Sequence, residues 1–207
     1  YKVQVILLDT RWNRTPLLQV SGVVAYGKRL AQNRGPYLIN PDVNASLLGE
    51  TQWHWLEDEL KKDVDARIIA TSIQLLPEFS GWESWANFPL ERQRMLSLLD
   101  EYQTEPIVFI SGDVHWAEFS KIRGSKVGPA GSEDFREWPL IELTSSGLTE
   151  EWQAVSPNVH RVGEAYPIAN YGNIEFNIDD SNVSLSLSIK GVEGEVLIEQ
   201  AFEFPNR

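Results

Sequence analysis

The sequence contains no cysteine among its 207 residues. This absence excludes disulfide bonds, thiolate nucleophiles and cysteine metal ligands, and it is compatible with any cellular compartment. Long apolar runs are also lacking, since no stretch approaches the roughly 20 residues that a membrane-spanning helix requires. We therefore expect neither a disulfide framework nor a membrane span.

Basic residues are few, with 18 lysines and arginines against 30 aspartates and glutamates, which gives a net charge of −12. This balance speaks against general affinity for nucleic acid or for an anionic membrane, because neutralising phosphate groups takes clustered lysine and arginine. A phosphate-bearing substrate would have to be attracted by local cations or by metal ions. The apolar fraction of 42% is ordinary for a globular protein, so we expect one domain with a substantial core.

An initiator methionine is missing as well, and the first eight residues have the pattern of a strand rather than of a signal peptide. Residues 3–8 are apolar at odd and even positions, which predicts a strand that is covered on both faces. Because the sequence opens in such a strand, we expect it to be a fragment of a longer protein.

Strands and helices alternate through much of the chain. Apolar runs predict strands over residues 3–8, 66–72, 106–109 and 139–147, and amphipathic periodicity predicts helices over residues 52–62 and 90–102. The first helix should bury one stripe formed by Trp53, Leu56 and Leu60. This alternation is typical of an α/β sheet.

The last part of the chain has a different pattern. Alternating apolar and polar residues predict an antiparallel β meander, with strands over residues 173–178, 183–189 and 195–204. Loops are expected over residues 15–48, with a short strand at 20–26, and over residues 123–133 and 148–171. No linker-like composition divides the chain, so we assign residues 1–207 to part of a single domain.

Residues 111–115 (Ser-Gly-Asp-Val-His) follow a predicted buried strand and carry the first candidate site. The carboxyl ends of strands in open α/β sheets are where ligands bind. With Val114 between them, Asp113 and His115 can point in similar directions and share one metal ion as an oxygen ligand and a nitrogen ligand. The alternative is a turn aspartate that caps local amides beside a hydrogen-bonded histidine.

Asp9 and Arg11, at the end of the first predicted strand, form the second candidate. A guanidinium held at a strand end can bind phosphate oxygens in a bidentate manner, and the neighbouring carboxylate can orient it. An ordinary surface salt bridge would explain the same pair.

The other histidines, His54 and His160, lack a second ligand at metal-binding spacing, so we interpret them as structural. No Gly-x-Ser-x-Gly segment is present, which argues against serine hydrolysis. The chain has eight tryptophans, and Trp82 and Trp85 flank a loop segment. Loop tryptophans can stack on sugars or bases, but they also fill cores and pocket walls.

These segments together resemble the PhoD-like alkaline phosphatases, which are metallophosphoesterases of the calcineurin-like superfamily. Seven segments occur in the order found in that family: residues 8–11 (LDTR), 48–56 (LGETQWHWL), 72–74 (SIQ), 83–92 (ESWANFPLER), 111–118 (SGDVHWAE), 142–147 (ELTSSG) and 170–172 (NYG). The resemblance covers nearly the whole chain. It implies a four-layer α/β/β/α core, of which this chain would be an incomplete half with a C-terminal antiparallel meander.

The resemblance also implies an activity, namely hydrolysis of phosphate monoesters and diesters, and a set of site residues. Asp113 and His115 would be metal ligands. Arg11 would bind the substrate phosphate and act in catalysis together with Asp9, which would support the site. Gln74 would line the same crevice and contact the substrate. Calcium and iron are the metals associated with the family. Several metal ions would neutralise the phosphate and stabilise the leaving oxygen.

One departure from the family pattern limits this expectation. The Gly-Asp-x-x-Tyr-x-Asp, Asp-Asp-His and Asn segments and the cysteine ligand of the iron type have no counterpart here. They belong to the family's N-terminal half and supply most metal ligands. We therefore expect the parent protein to be a phosphatase, the missing half of its domain to be this chain's partner, and the isolated chain to be nearly inactive.

Two alternatives remain open at this point. The chain could be a non-catalytic module in which tryptophan-rich loops and acidic residues bind a carbohydrate or a calcium-dependent partner. It could also be a scaffold that has lost its catalytic groups. Because relatives of the family are commonly exported, the resemblance implies a periplasmic or extracellular location.

Overall fold

The computed structural model describes residues 1–122, 126–127, 136–137 and 139–205. Its strands are β1 (Val3–Leu7), β2 (Ala66–Ala70), β3 (Ile107–Ser111), β4 (Ala117–Ile122), β5 (Lys126–Val127), β6 (Arg136–Glu137), β7 (Leu140–Ser145), β8 (Arg161–Tyr166), β9 (Asn170–Ile178), β10 (Asn182–Gly191) and β11 (Val196–Pro205). Its helices are α1 (Val23–Leu30), α2 (Glu50–Leu60) and α3 (Pro89–Tyr102), and a 3-10 turn covers Trp85–Asn87. No helix within these ranges has the length and apolarity needed to cross a membrane.

A six-stranded mixed sheet is the centre of the fold, with strand order β1-β2-β3-β7-β4-β8. The strands β1, β2, β3 and β7 run parallel, so their carboxyl ends share one edge of the sheet. The strands β4 and β8 pair in antiparallel orientation beyond β7. A separate antiparallel sheet has the order β11-β10-β9, and it confirms the predicted meander.

Two apolar layers hold this arrangement together. Helices α2 and α3 pack on one face of the six-stranded sheet, where Trp53, Leu56, Met95 and Leu99 are buried against the strands. The meander packs on the opposite face through the buried alternate residues of β10. Helix α3 begins at Pro89, whose fixed φ suits a first helical turn. The α/β class predicted from the sequence is confirmed.

One prediction about β1 is wrong. Its residues were expected to be covered on both faces, but Val3, Val5 and Leu7 are 41%, 64% and 73% exposed. The intervening Ile6 is buried against the helical layer. The meander packs on β3, β4, β7 and β8 and on Ala66 at the start of β2, and the cluster that it forms contains no residue of β1. The first strand therefore presents an apolar face to solvent at the edge of the sheet.

Two further elements differ from the sequence prediction. Residues 20–26 do not form a short strand, because Gly22 adopts a φ of +85° and helix α1 begins at Val23. Arg29 fixes this helix by donating to the backbone oxygens of Gly35 and Tyr37 at 2.6 and 2.9 Å. The region 148–171, predicted to be irregular, contains β8. Most of the predicted loop over 123–133 lies outside the described residues.

Candidate active site

The predicted site residues lie at the carboxyl edge of the parallel strands. Arg11 follows β1, and Asp113 and His115 follow β3. Asp113, His115 and the buried Glu83 line one open cavity of about 270 Å³. The Nη2 atom of Arg11 lies 3.7 Å from Oδ1 of Asp113, so the loops that follow β1 and β3 bring these two side chains together.

The turn that carries Asp113 and His115 has an uncommon backbone. Both residues adopt left-handed conformations, with φ values of +75° and +62°. Such conformations are costly outside glycine, although aspartate, asparagine and histidine tolerate them best. The backbone N–H of His115 donates to Oγ of Ser146 at 2.9 Å, and the backbone carbonyl of His115 accepts from the backbone N–H of Trp152 at 3.0 Å. The buried Val114 side chain anchors the turn between the two polar residues.

Glu83 is the centre of a compact charge cluster. Its Oε1 atom accepts hydrogen bonds from Nη1 of both Arg11 and Arg14. The Arg11 side chain remains 52% exposed, whereas that of Glu83 is only 10% exposed. One edge of the Arg11 guanidinium is therefore fixed by protein, and the exposed remainder can contact a ligand.

The carboxyl group of Asp113 titrates above its usual range. Partial burial raises its pKa and the carboxylate of Glu83 raises it further, while Arg11 and His115 act in the opposite direction. The Asp113 side chain is still 31% exposed, so it faces the cavity rather than the core. A cation bound beside it would favour the ionised form.

Asp9 organises the loop that carries Arg11. Its Oδ1 atom accepts from the backbone N–H groups of Arg11 and Trp12 at 2.8 and 3.0 Å, and these bonds lower its pKa. Its own backbone N–H and carbonyl are paired with the side chain of Gln52, both at 2.8 Å. These contacts make Asp9 a positioning residue for Arg11, while its predicted part in catalysis stays a prediction.

Gln74 lies inside the protein and does not line the cavity. It is 2% exposed, and its Nε2 atom donates to Oε1 of Glu118 at 2.7 Å and to Oγ1 of Thr144 at 3.1 Å. Glu118 is in turn paired with Arg161. The structure thus places Gln74 in a buried polar network, and its predicted contact with substrate stays a prediction.

Sequence reasoning missed Glu142, a buried carboxyl group on β7. Burial raises its pKa to about 7, although it accepts hydrogen bonds from the backbone N–H groups of Leu75 and Leu76. Because the folded-state pKa lies above the unfolded value, its contribution makes the fold less stable as pH rises from about 4.5 towards 7. A single acidic residue inside the apolar strand 139–143 was the signal that could have identified it.

The donors of this chain do not complete a metal site on their own. Across the parts of the chain that the structure describes, no three histidine or acidic side chains lie close enough together to hold a metal ion. The predicted ligands Asp113 and His115 do line the same cavity. The Oε2 atom of Glu150 lies 3.5 Å from Nδ1 of His115. In the described ranges, the two predicted ligands therefore lie beside an arginine without forming a complete metal centre.

Comparisons with known proteins identify the family. A family model described as PhoD-like phosphatase matches residues 2–189. A solved structure of PhoD has the same fold with a TM-score of 0.58 at 16% sequence identity. The match covers 98% of this chain but only 40% of that one, so the chain corresponds to less than half of the solved relative. No curated protein matches the sequence significantly. The chain belongs to the PhoD-like phosphatase family.

Proposed function

We propose that the protein containing this chain is a metal-dependent phosphoesterase that hydrolyses phosphate monoesters or diesters, and that this chain supplies part of its site. The observation that carries the proposal is that Asp113 and His115 line one cavity and that the Arg11 guanidinium lies 3.7 Å from the Asp113 carboxylate. They come from two parallel strands of a PhoD-like chain, at the sheet edge where ligands of α/β proteins bind.

Arg11 is the group that we propose contacts the substrate. Its exposed N–H groups would donate to non-bridging phosphate oxygens and stabilise the negative charge that builds up on them. Glu83 holds the other edge of the guanidinium, so the side chain is oriented before substrate arrives. Arg14 offsets the charge of Glu83 and leaves Arg11 with net positive character.

Asp113 and His115 would hold a metal ion together with ligands from elsewhere in the protein. Calcium and iron are the candidates that the family resemblance suggests. A bound metal would supply positive charge that makes the phosphorus more electrophilic and stabilises the leaving oxygen. The same resemblance leads us to propose a periplasmic or extracellular location.

Release of p-nitrophenol tests this function. We expect the complete protein to hydrolyse p-nitrophenyl phosphate or bis(p-nitrophenyl) phosphate in a metal-dependent manner, with turnover lost on chelation. The 207-residue chain alone should show little or no turnover with added calcium and iron, because its described residues bring together no three side chains that could hold a metal ion. Rapid turnover by the isolated chain would overturn the shared site, and an inactive complete protein would overturn the phosphoesterase.

The exposed face of β1 supports the proposal that a further part of the domain packs here. Val3, Val5 and Leu7 form an apolar row on an edge strand, and such rows are normally covered. The chain also corresponds to only 40% of the solved PhoD chain. We propose that the missing half of the same domain is the partner that covers this row.

Substitution of Val5 by lysine tests whether the exposed face of β1 is covered by another part of the complete protein. In the complete protein we expect V5K to lower the free energy of unfolding by about 2 kcal/mol or more, since it removes a buried apolar side chain and buries a charge. V192K changes an exposed valine in the turn after β10 and should have little effect in the same denaturant titration. Equal stability of the two variants would contradict the docking of the missing half on β1.

A non-catalytic binding module is the second candidate, and one observation favours it. Aromatic side chains make up much of the cavity lining beside acidic ones, as in sites that bind sugars. The module predicts ligand binding without hydrolysis in the p-nitrophenyl ester assay.

A further inference from the structure

Four aromatic residues line the site cavity next to Asp113 and His115. They are Tyr37, Trp82, Trp116 and Trp152, and we call them the aromatic wall. Each tryptophan is tied to a residue of the proposed site. Trp82 precedes Glu83 in the sequence and Trp116 follows His115. The backbone N–H of Trp152 donates to the backbone carbonyl of His115. The wall is therefore built into the same framework as the phosphate-binding groups.

The rings of Trp82 and Trp152 stand nearly perpendicular to each other. Their centroids are 5.4 Å apart and their planes cross at 76°, so one ring edge faces the other. Both residues are half-buried, and they line a cavity that is open to solvent. A cavity of about 150 Å³ accommodates a benzene molecule, so the observed volume of about 270 Å³ has room for a ring and its substituents.

The three tryptophans of the wall share another property. Their indole N–H groups are buried and have no hydrogen-bond partner among the residues that the structure describes. Buried indole N–H groups usually find an acceptor, because leaving one unpaired is costly. Because these N–H groups are buried, they are not presented to the cavity, and the wall offers an occupant ring surfaces rather than hydrogen-bond donors.

We propose that the aromatic wall binds the alcohol portion of the phosphoester, and that this portion carries a ring that packs on the aromatic side chains, as in a nucleoside or a sugar. The inference depends on the proposed function, since it places the phosphate at Arg11 and the ring against Trp82. Acidic side chains beside the wall, Glu83, Asp113 and Glu150, disfavour a second phosphate in this position. The wall sets the preference among esters, and Arg11 recognises the phosphate they share.

Relative kcat/KM values for four esters test the assignment in the complete protein. The substrates are uridine 5′-monophosphate, glucose 6-phosphate, ethyl phosphate and choline phosphate. We expect a ring ester to be preferred over ethyl phosphate, and W82A to reduce that preference about 10- to 100-fold, because ring stacking is lost. W82F should retain most of it. W55A changes an exposed tryptophan on α2 and serves as the matched control, with the preference unchanged.

Binding of uridine and of methyl glucoside, followed by calorimetry, separates the two proposals and identifies which ring is bound. If no ester is hydrolysed but either compound binds and W82A abolishes binding, the phosphoesterase fails and the ring subsite stands. Hydrolysis with equal kcat/KM for all four esters, unchanged in W82A and W152A, overturns the subsite and leaves the phosphoesterase intact. A preference for choline phosphate alone also overturns it, in favour of an aromatic cage for ammonium groups.

Discussion

Replacement of Arg11 by lysine should lower kcat/KM of the complete protein for p-nitrophenyl phosphate by about 100-fold or more. Removing one fixed donor to developing negative charge typically has an effect of this size. Lysine keeps the positive charge but loses the planar pair of donors that can contact Glu83 and a phosphate together. The loss should therefore follow from geometry rather than from charge.

The matched control is R94K on helix α3. Arg94 also forms a bidentate contact with a carboxylate, donating to Glu50 at 2.6 and 3.0 Å. It lies on the surface and does not line the cavity. We expect R94K to retain full activity and R11K to retain the wild-type circular dichroism spectrum. If R11K and R94K have equal kcat/KM, Arg11 does not bind the phosphate.

Replacement of Asp113 by asparagine should reduce both activity and bound metal in the complete protein. Asparagine has nearly the same shape and tolerates the left-handed backbone at φ +75°, so the turn should persist. It removes the negative charge that a metal ligand contributes. We expect at least about a 100-fold lower kcat/KM, as for other losses at metal sites, and a lower metal content by elemental analysis.

D58N provides the comparison for this experiment. The Asp58 side chain is 76% exposed on helix α2, so its substitution should change neither metal content nor activity. A D113N protein with normal metal content but low activity would contradict the ligand assignment and leave a direct role for the carboxyl group. Full activity with full metal content would remove Asp113 from the site altogether.

The sequence was sufficient to predict the elements whose pattern is local. Helix α2 buries the predicted stripe of Trp53, Leu56 and Leu60, and α3 (Pro89–Tyr102) matches the helix predicted over residues 90–102. The strand leading into the Asp-Val-His segment is also confirmed. Such elements can be predicted from periodicity, because the apolar residues that form the sequence pattern are the same residues that are buried in the structure.

Features that depend on distant partners could not be predicted. The exposure of Val5 is set by what packs on β1, and the apolar alternation of a strand contains no information about which layer covers it. Glu83 was visible only as part of a family motif, and its contacts with Arg11 and Arg14 join residues about 70 positions apart. The aromatic wall likewise assembles from four separate loops. Tertiary packing, rather than local preference, decides each of these.

If Asp113 and His115 hold a metal ion as proposed, their turn places fold stability and metal binding in opposition. Both positions have backbone angles that glycine or asparagine adopts at lower cost than most residues. Selection for stability alone would admit those residues, whereas selection for metal binding would retain a carboxylate and an imidazole at the same two positions. The hydrogen bonds of the His115 backbone N–H to Ser146 Oγ and of the Trp152 backbone N–H to the His115 carbonyl offset part of this cost.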